Sequence, residues 1–372
     1  MTRGLDVEPK PRAGVRARLS GAAYQGFDRL IYRALRRLFL RQALPVSTRA
    51  ELEEALVAAE LFSGPEVLRD PDRLLAPPRL FPRARMRPAH EKRTRTGTFQ
   101  HFRAPTIYRP IHPEYAARWA AYDALDTVHL FAWRHRRPAP VSLFLNHGWG
   151  VGDRRIHEVE FNIGALHRDL GLDVYFYVAP FHGLRRPSQA RFSGELHPSV
   201  DLIRTNEAFV QTCQEIRALM TMILADNPAP MGMMGSSLGG YTSALIASID
   251  DRLDFAVPII APASLADLFW EHGDGESLRR DVERLGLTRE RFVKAWALHS
   301  PLSYRPRIPP ARRLIVAASD DVIVTRPHVD ALWEHWERPR RFEFSGGHIL
   351  QVGRKRYVDE LHAWLRGLRL LP

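Results

Sequence analysis

The sequence predicts an α/β protein built on a mostly parallel central sheet with helices on both faces. Three observations carry this. Short apolar runs alternate with longer helical patterns from about residue 102 to the end. Those runs are apolar throughout and do not alternate with polar residues, as strands covered on both faces require. Finally, one of them (228–234) enters a glycine-rich turn that opens directly into a helical pattern (238–249), with a serine at its apex.

Taken in order, residues 1–19 are polar and basic with two prolines, a composition that predicts disorder. Residues 24–43 place Phe27, Leu30, Ile31, Ala34, Leu35, Leu38 and Phe39 on one helical face with Arg29, Arg33, Arg36 and Arg37 largely opposite. Such a basic amphipathic helix suits packing on the main domain, and equally an anionic membrane surface. Residues 44–100 hold a short helical pattern (48–61), then six prolines and a basic run (83–95), which argue against regular structure there. The expected division is an N-terminal extension and connector over 1–100 and a catalytic domain over 101–372.

Within that domain strands are expected at 127–134, 141–146, 172–179, 229–234, 255–260, 313–318 and 340–344. Helices are expected at 151–170, 198–226, 238–249, 327–336 and 357–370. Residues 263–300 interrupt the alternation and read as a cap or lid inserted after the sixth strand.

Composition narrows the function classes. The chain has 372 residues, 45% hydrophobic and 26% charged, and no run of about 18 apolar residues, so no membrane-spanning helix is expected. Its start lacks the apolar core and cleavage site of a secretory signal. Cys213 is the only cysteine, which excludes internal disulfides and thiolate metal clusters and suits a reducing, cytoplasmic setting. The net charge of +12 is uneven: residues 1–112 hold 22 basic and 11 acidic side chains, the remainder 32 and 31. A near-neutral main body and the lack of a base-reading or stacking motif speak against nucleic acid.

The turn reads Gly235-Ser236-Ser237-Leu238-Gly239, a G-x-S-x-G pentad. A strand feeding a sharp turn into a helix exposes the central hydroxyl at the carboxyl edge of the sheet, where Ser237 can act as a nucleophile. Acyl transfer also needs a base, a group to orient it and donors for the oxyanion. After strand 313–318 comes S-D-D-V-I-V-T, with Asp321 preferred over Asp320 as the orienting carboxylate, and after strand 340–344 comes S-G-G-H-I, which presents His348 as base. The oxyanion donors are expected to be the amides of Leu238 and of Trp149, the latter in N-H-G-W-G-V-G after strand 141–145. H-E-x-x-H and paired cysteines are missing, so no metal or cofactor is expected.

With these three motifs in the order Ser237, Asp321, His348, residues from about 100 to 372 resemble the α/β hydrolases. Asp321 heads a segment similar to the D-x-x-V-P pattern of that superfamily, with Thr325 at the usual proline, and residues 146–152 resemble its H-G-x-x-G element. More narrowly, A-P-F-H-G-L-R-R-P (179–187), G-M-M-G-S-S-L-G-G and S-G-G-H-I resemble the subgroup of α/β hydrolase domain-containing protein eighteen, as does the early L-I-Y-R-A-L-R-R-L-F-L-R. That resemblance implies a link with phospholipid deacylation. His147, His182 and Arg185 are candidates to line the substrate pocket, and His182 and Arg185 could equally serve only to hold their loop. The expected activity is a serine hydrolase cleaving a carboxylic ester, of a small molecule or a lipid. The alternatives are an acyltransferase using the same acyl-enzyme and a non-catalytic binding protein on the same scaffold.

Overall fold

A computed structural model describes residues 26, 29–33, 46–81, 88–273, 277–351 and 354–372. Nine strands form one sheet: β1 Pro88–Arg93, β2 Gly97–Pro105, β3 Thr127–His135, β4 Ser142–Asn146, β5 Asp173–Tyr177, β6 Met231–Ser236, β7 Phe255–Ile259, β8 Leu314–Ala318 and β9 Arg340–Phe344. Their spatial order is β1-β2-β3-β5-β4-β6-β7-β8-β9. The first four positions pair antiparallel, and everything from β5 to β9 is parallel.

The apolar strands divide their side chains between the two faces with the two-residue period of a pleated strand. On β5, Val174 and Phe176 join one core with Leu143 and Leu145 of β4, while Tyr175 and Tyr177 join the other with Phe144. The long helix Leu202–Asp226 and the elbow helix Leu238–Ile249 lie on the second core, and the closing helix Arg354–Gly367 covers the first through Trp364 and Leu365. Cys213 is buried in Leu202–Asp226, and desolvation pushes its thiol up to about 12, so it packs as a small apolar side chain.

Three expectations need correction. The helix expected over 48–61 is present as Arg49–Ser63, but the described residues after it, 64–81 and 88–100, hold more regular structure than expected. Two of the prolines sit where a missing N–H costs little: Pro65 opens the short helix Pro65–Arg69 and Pro88 begins β1. The expected boundary at residue 100 falls inside β2, whose full length pairs with β3, so 88–105 belongs to the sheet. The predicted helix 151–170 is broken. Gly150 and Gly152 have φ of 80° and 96°, and Asp153 caps a helix over only Arg154–Glu160 by accepting from Arg155 N at 2.7 Å. Asn162 then adopts φ 50°, ending the run before residues 165–169 turn again.

The insertion follows β7, the seventh strand where the sixth was expected, and among the described residues it holds three helices, Leu265–His272, Ser277–Leu285 and Arg289–Ala295. Its last helix is tied to helix Arg49–Ser63 by Lys294–Glu60 (3.0 Å) and by Arg291–Glu53. The amphipathic stretch 24–43 lies mostly outside the described residues, which include only Gly26 and the helical residues 29–33. Among the described residues no helix is long and apolar enough to cross a membrane.

Candidate active site

Ser237 sits between β6 and helix Leu238–Ile249 with φ 55° and ψ −116°, a strained conformation for a residue bearing a Cβ. The flanking glycines make the turn possible. A Cβ on Gly235 would come within 2.2 Å of the Gly239 carbonyl oxygen, and one on Gly239 within 2.0 Å of the Asn146 oxygen. The turn is pinned from below, where Ser237 N donates to Ile259 O at 2.8 Å.

The two other candidates arrive on loops that are bonded to each other. Ser319 N donates to Phe344 O (2.9 Å) and Asp320 N to Gly346 O (3.0 Å), so the ends of β8 and β9 present their loops together. His348 Nε2 lies 2.9 Å from Ser237 Oγ, and its Nδ1 lies 2.7 Å from Asp321 Oδ2. The other carboxylate oxygen, Oδ1, accepts from Ile323 N and Val324 N, both at 2.8 Å. A carboxylate held this way accepts a hydrogen bond from Nδ1–H of the imidazole, which leaves Nε2 with a lone pair toward the hydroxyl. Asp320 instead accepts from the Ser319 hydroxyl at 2.7 Å.

The loop carrying Trp149 runs beside the same serine. A Cβ on Gly148 would lie 3.6 Å from Ser237 Cβ, and Gly148, Trp149 and Leu238 all border the cavity onto which Ser237 and His348 open. That cavity measures about 670 Å³, and its walls are largely apolar, with Ile156, Val159, Leu268, Phe269, Ile323 and Ile349 among them. Leu268 and Phe269 belong to the insertion, which therefore roofs the site.

The three residues expected in the substrate pocket are not there. Arg185 is fully buried and bidentate to Glu215 (2.6 and 3.0 Å), with Tyr177 Oη, Val178 O and Leu125 O completing its partners. It locks the loop after β5 onto helix Leu202–Asp226. His182 is also fully buried, with Nδ1 on Pro180 O at 2.9 Å. Desolvation first, and the neighbouring His197 second, hold its imidazole down at about 3, so it stays neutral. His147 bridges two loops: Nδ1 donates to Gly148 O (2.8 Å) and Nε2 accepts from Ala179 N (3.0 Å). These residues build the wall behind the site, and their motif marks packing where substrate contact was expected.

Two cavity residues carried no sequence signal. His272, ending helix Leu265–His272, has Nε2 3.0 Å from Ile323 O, next to the Asp321 loop, and its Nδ1 meets the Tyr32 hydroxyl. Tyr32 and His272 both line the cavity, although 240 residues separate them. Only the fold could bring them together.

Comparison with known proteins agrees with the architecture. The family described as alpha/beta hydrolase domain containing 18 matches residues 132–276. The uncharacterized protein Rv2627c of Mycobacterium tuberculosis is 30% identical over 235 residues, covering 62% of this chain and 55% of that protein. The chain thus spans about half the length of that relative. The uncharacterized protein YdjC of Bacillus subtilis is 26% identical over 111 residues, 30% of this chain and 96% of its own. Among solved structures, the acetyl xylan esterase from Paenibacillus sp. R4 superposes with a TM-score of 0.53 at 11% identity, covering 80% of this chain and 98% of that one. Sheet order, elbow geometry and these matches together show that the chain adopts the α/β hydrolase fold, and over residues 132–276 it is similar to the alpha/beta hydrolase domain containing 18 family.

Proposed function

We propose that the protein is a serine hydrolase that cleaves carboxylic esters with an apolar acyl part, by way of an acyl-enzyme on Ser237. The observation carrying this reading is the continuous hydrogen-bonded relay from Ser237 Oγ through His348 to Asp321 at the floor of an apolar cavity. In the reaction, Ser237 Oγ attacks the ester carbonyl while His348 Nε2 takes its proton, and Asp321 stabilises the imidazolium that results. The oxyanion falls toward the amides of Leu238 and Trp149. Collapse breaks the ester C–O bond, and His348 returns the proton to the departing alcohol. Water, deprotonated by the same nitrogen, then releases the carboxylic acid and restores Ser237.

Apolar walls on both the insertion and helix Arg154–Glu160 favour an acyl chain over a polar acyl group, since each buried methylene contributes about 0.8 kcal/mol. Treatment with a fluorophosphonate probe tests the reading: wild type is expected to label and Ser237→Ala to remain unlabelled. Equal labelling of the two, or none of wild type, would sink it. Esters of graded chain length are expected to show kcat/KM rising with acyl length until the cavity is filled.

We further propose that residues 24–43 bring the enzyme to anionic membranes. Flotation with anionic vesicles is expected to carry the full chain and to leave behind a variant lacking residues 1–45. Equal flotation of both would end that idea.

A further inference from the structure

At the opposite edge of the sheet, far in topology from Ser237, three side chains from separate segments converge: His135 at the end of β3, His167 in the turn 165–169 and Asp173 at the start of β5. We propose that His135, His167 and Asp173 form a binding site for a zinc-class divalent cation that ties the antiparallel edge of the sheet to its parallel body.

Each residue can offer one ligand atom, and those atoms all lie within 4.8 Å of one another. Tetrahedral zinc with bonds of about 2.0–2.1 Å needs its donors about 3.3 Å apart, a contraction that side-chain rotation supplies. The surroundings already do what the second shell of a metal site does. His167 Nδ1 donates to Leu172 O at 2.9 Å, which fixes the tautomer and leaves Nε2 as the lone-pair nitrogen. That nitrogen faces outward to the Thr96 hydroxyl at 2.9 Å. Asp173 Oδ1 accepts from His135 N at 2.8 Å and pairs with His135 Nδ1 at 3.0 Å, so the carboxylate is held in place whether or not the imidazole is a ligand.

The two imidazoles are tilted by 36° to one another with ring centroids 4.0 Å apart, so both rings already stand at the same place. Asp173 and His167 are buried, His135 is partly open, and a cavity of about 560 Å³ bordered by His167, Thr96 and Trp133 gives a cation and its water a way in. Two imidazoles and one carboxylate suit zinc and its Irving–Williams neighbours; calcium and magnesium need more oxygen ligands than this site has. Binding would stitch β3 to the turn 165–169 and the start of β5, with the Thr96 hydroxyl giving up its bond to His167 Nε2. Its role is structural, since the catalytic edge lies at the other ends of the strands.

Titration of the metal-stripped full chain with Co²⁺, followed by Zn²⁺ competition, tests the proposal. One equivalent of Co²⁺ giving a visible ligand-field band, displaced by Zn²⁺, is expected in wild type and in the distant control His348→Ala. His135→Ala, which removes the partly exposed ligand, and Asp173→Asn are expected to weaken binding at least tenfold. Wild type should gain thermal stability with Zn²⁺ and lose it with a chelator, and His135→Ala should show neither change. No saturable binding by wild type, or unchanged affinity in His135→Ala, would overturn the proposal. Should Asp173→Asn fail to fold, His135→Ala and the wild-type titration still decide it.

Discussion

His348 and four buried histidines of the same fold have opposite surroundings. His348 opens on a cavity with a hydroxyl on one nitrogen and a carboxylate on the other. Away from the cavity, His147, His182, His197 and His299 are buried, and desolvation keeps every one of them below the ordinary imidazole range. The difference is one of solvation and partners. An imidazole that must gain and lose a proton needs an anion to stabilise its charged form, whereas one used as a polar spacer in a core is better kept neutral.

The sharpest way to break this comparison is at the open site. Ser237→Ala and His348→Ala are each expected to lower kcat on acyl esters by about 10³–10⁶, leaving Tm nearly unchanged. If the reading of the relay is right, Asp321→Asn lowers kcat by about 10⁴, because the amide favours the wrong tautomer, while Asp320→Asn stays within a few-fold of wild type. Equal losses in the two asparagine variants would mean that the carboxylates have been assigned wrongly.

Behind the site the expected effects are on stability. Arg185→Met leaves Glu215 buried without its partner and should cost about 3–5 kcal/mol in denaturant unfolding. Turnover per folded molecule should change much less, the reverse of what a substrate-binding arginine would show. The smallest effect concerns pH. His299 is held at about 3 in the folded chain, by desolvation, against about 6.5 when unfolded. Above about pH 6.5 neither state binds the proton and the group adds no pH dependence. Below it the unfolded chain is protonated first, so stability falls by about 1.4 kcal/mol per pH unit down to about pH 3. His299→Gln, which still offers Tyr241 Oη a partner in place of the bond now 2.8 Å long, should flatten the stability profile between pH 6 and 4 by that slope. An unchanged slope would place the titration elsewhere.

Much of the parallel half of the sheet was legible because burial on both faces leaves unbroken apolar runs, and β6, β9 and the elbow helix lie within a residue or two of the expected limits. The antiparallel edge was hidden. β1 is polar and exposed along most of its length, and Pro88 and Pro65 read as breaks although they stand at a strand start and a helix start. The helix over 151–170 failed for a local reason, the left-handed Asn162 inside an apolar period. In the site, Ser237, Asp321 and His348 stood out because each follows a strand, where the parallel topology collects loops at one edge. His182 and Arg185 misled because a dense run of histidine and arginine looks the same whether its polar groups meet a ligand or, as here, backbone carbonyls and Glu215.

By itself the sequence determined the alternation of strands and helices and the order in which the reactive residues follow them, since both are written in local periodicity and in the glycines of the turns. Tertiary structure alone decided which polar residues face the cavity, that Tyr32 reaches His272, and that His135, His167 and Asp173 meet. The physical reason is that a side chain's solvation and partners depend on segments tens to hundreds of residues away, and no local pattern encodes which of them will be its neighbours.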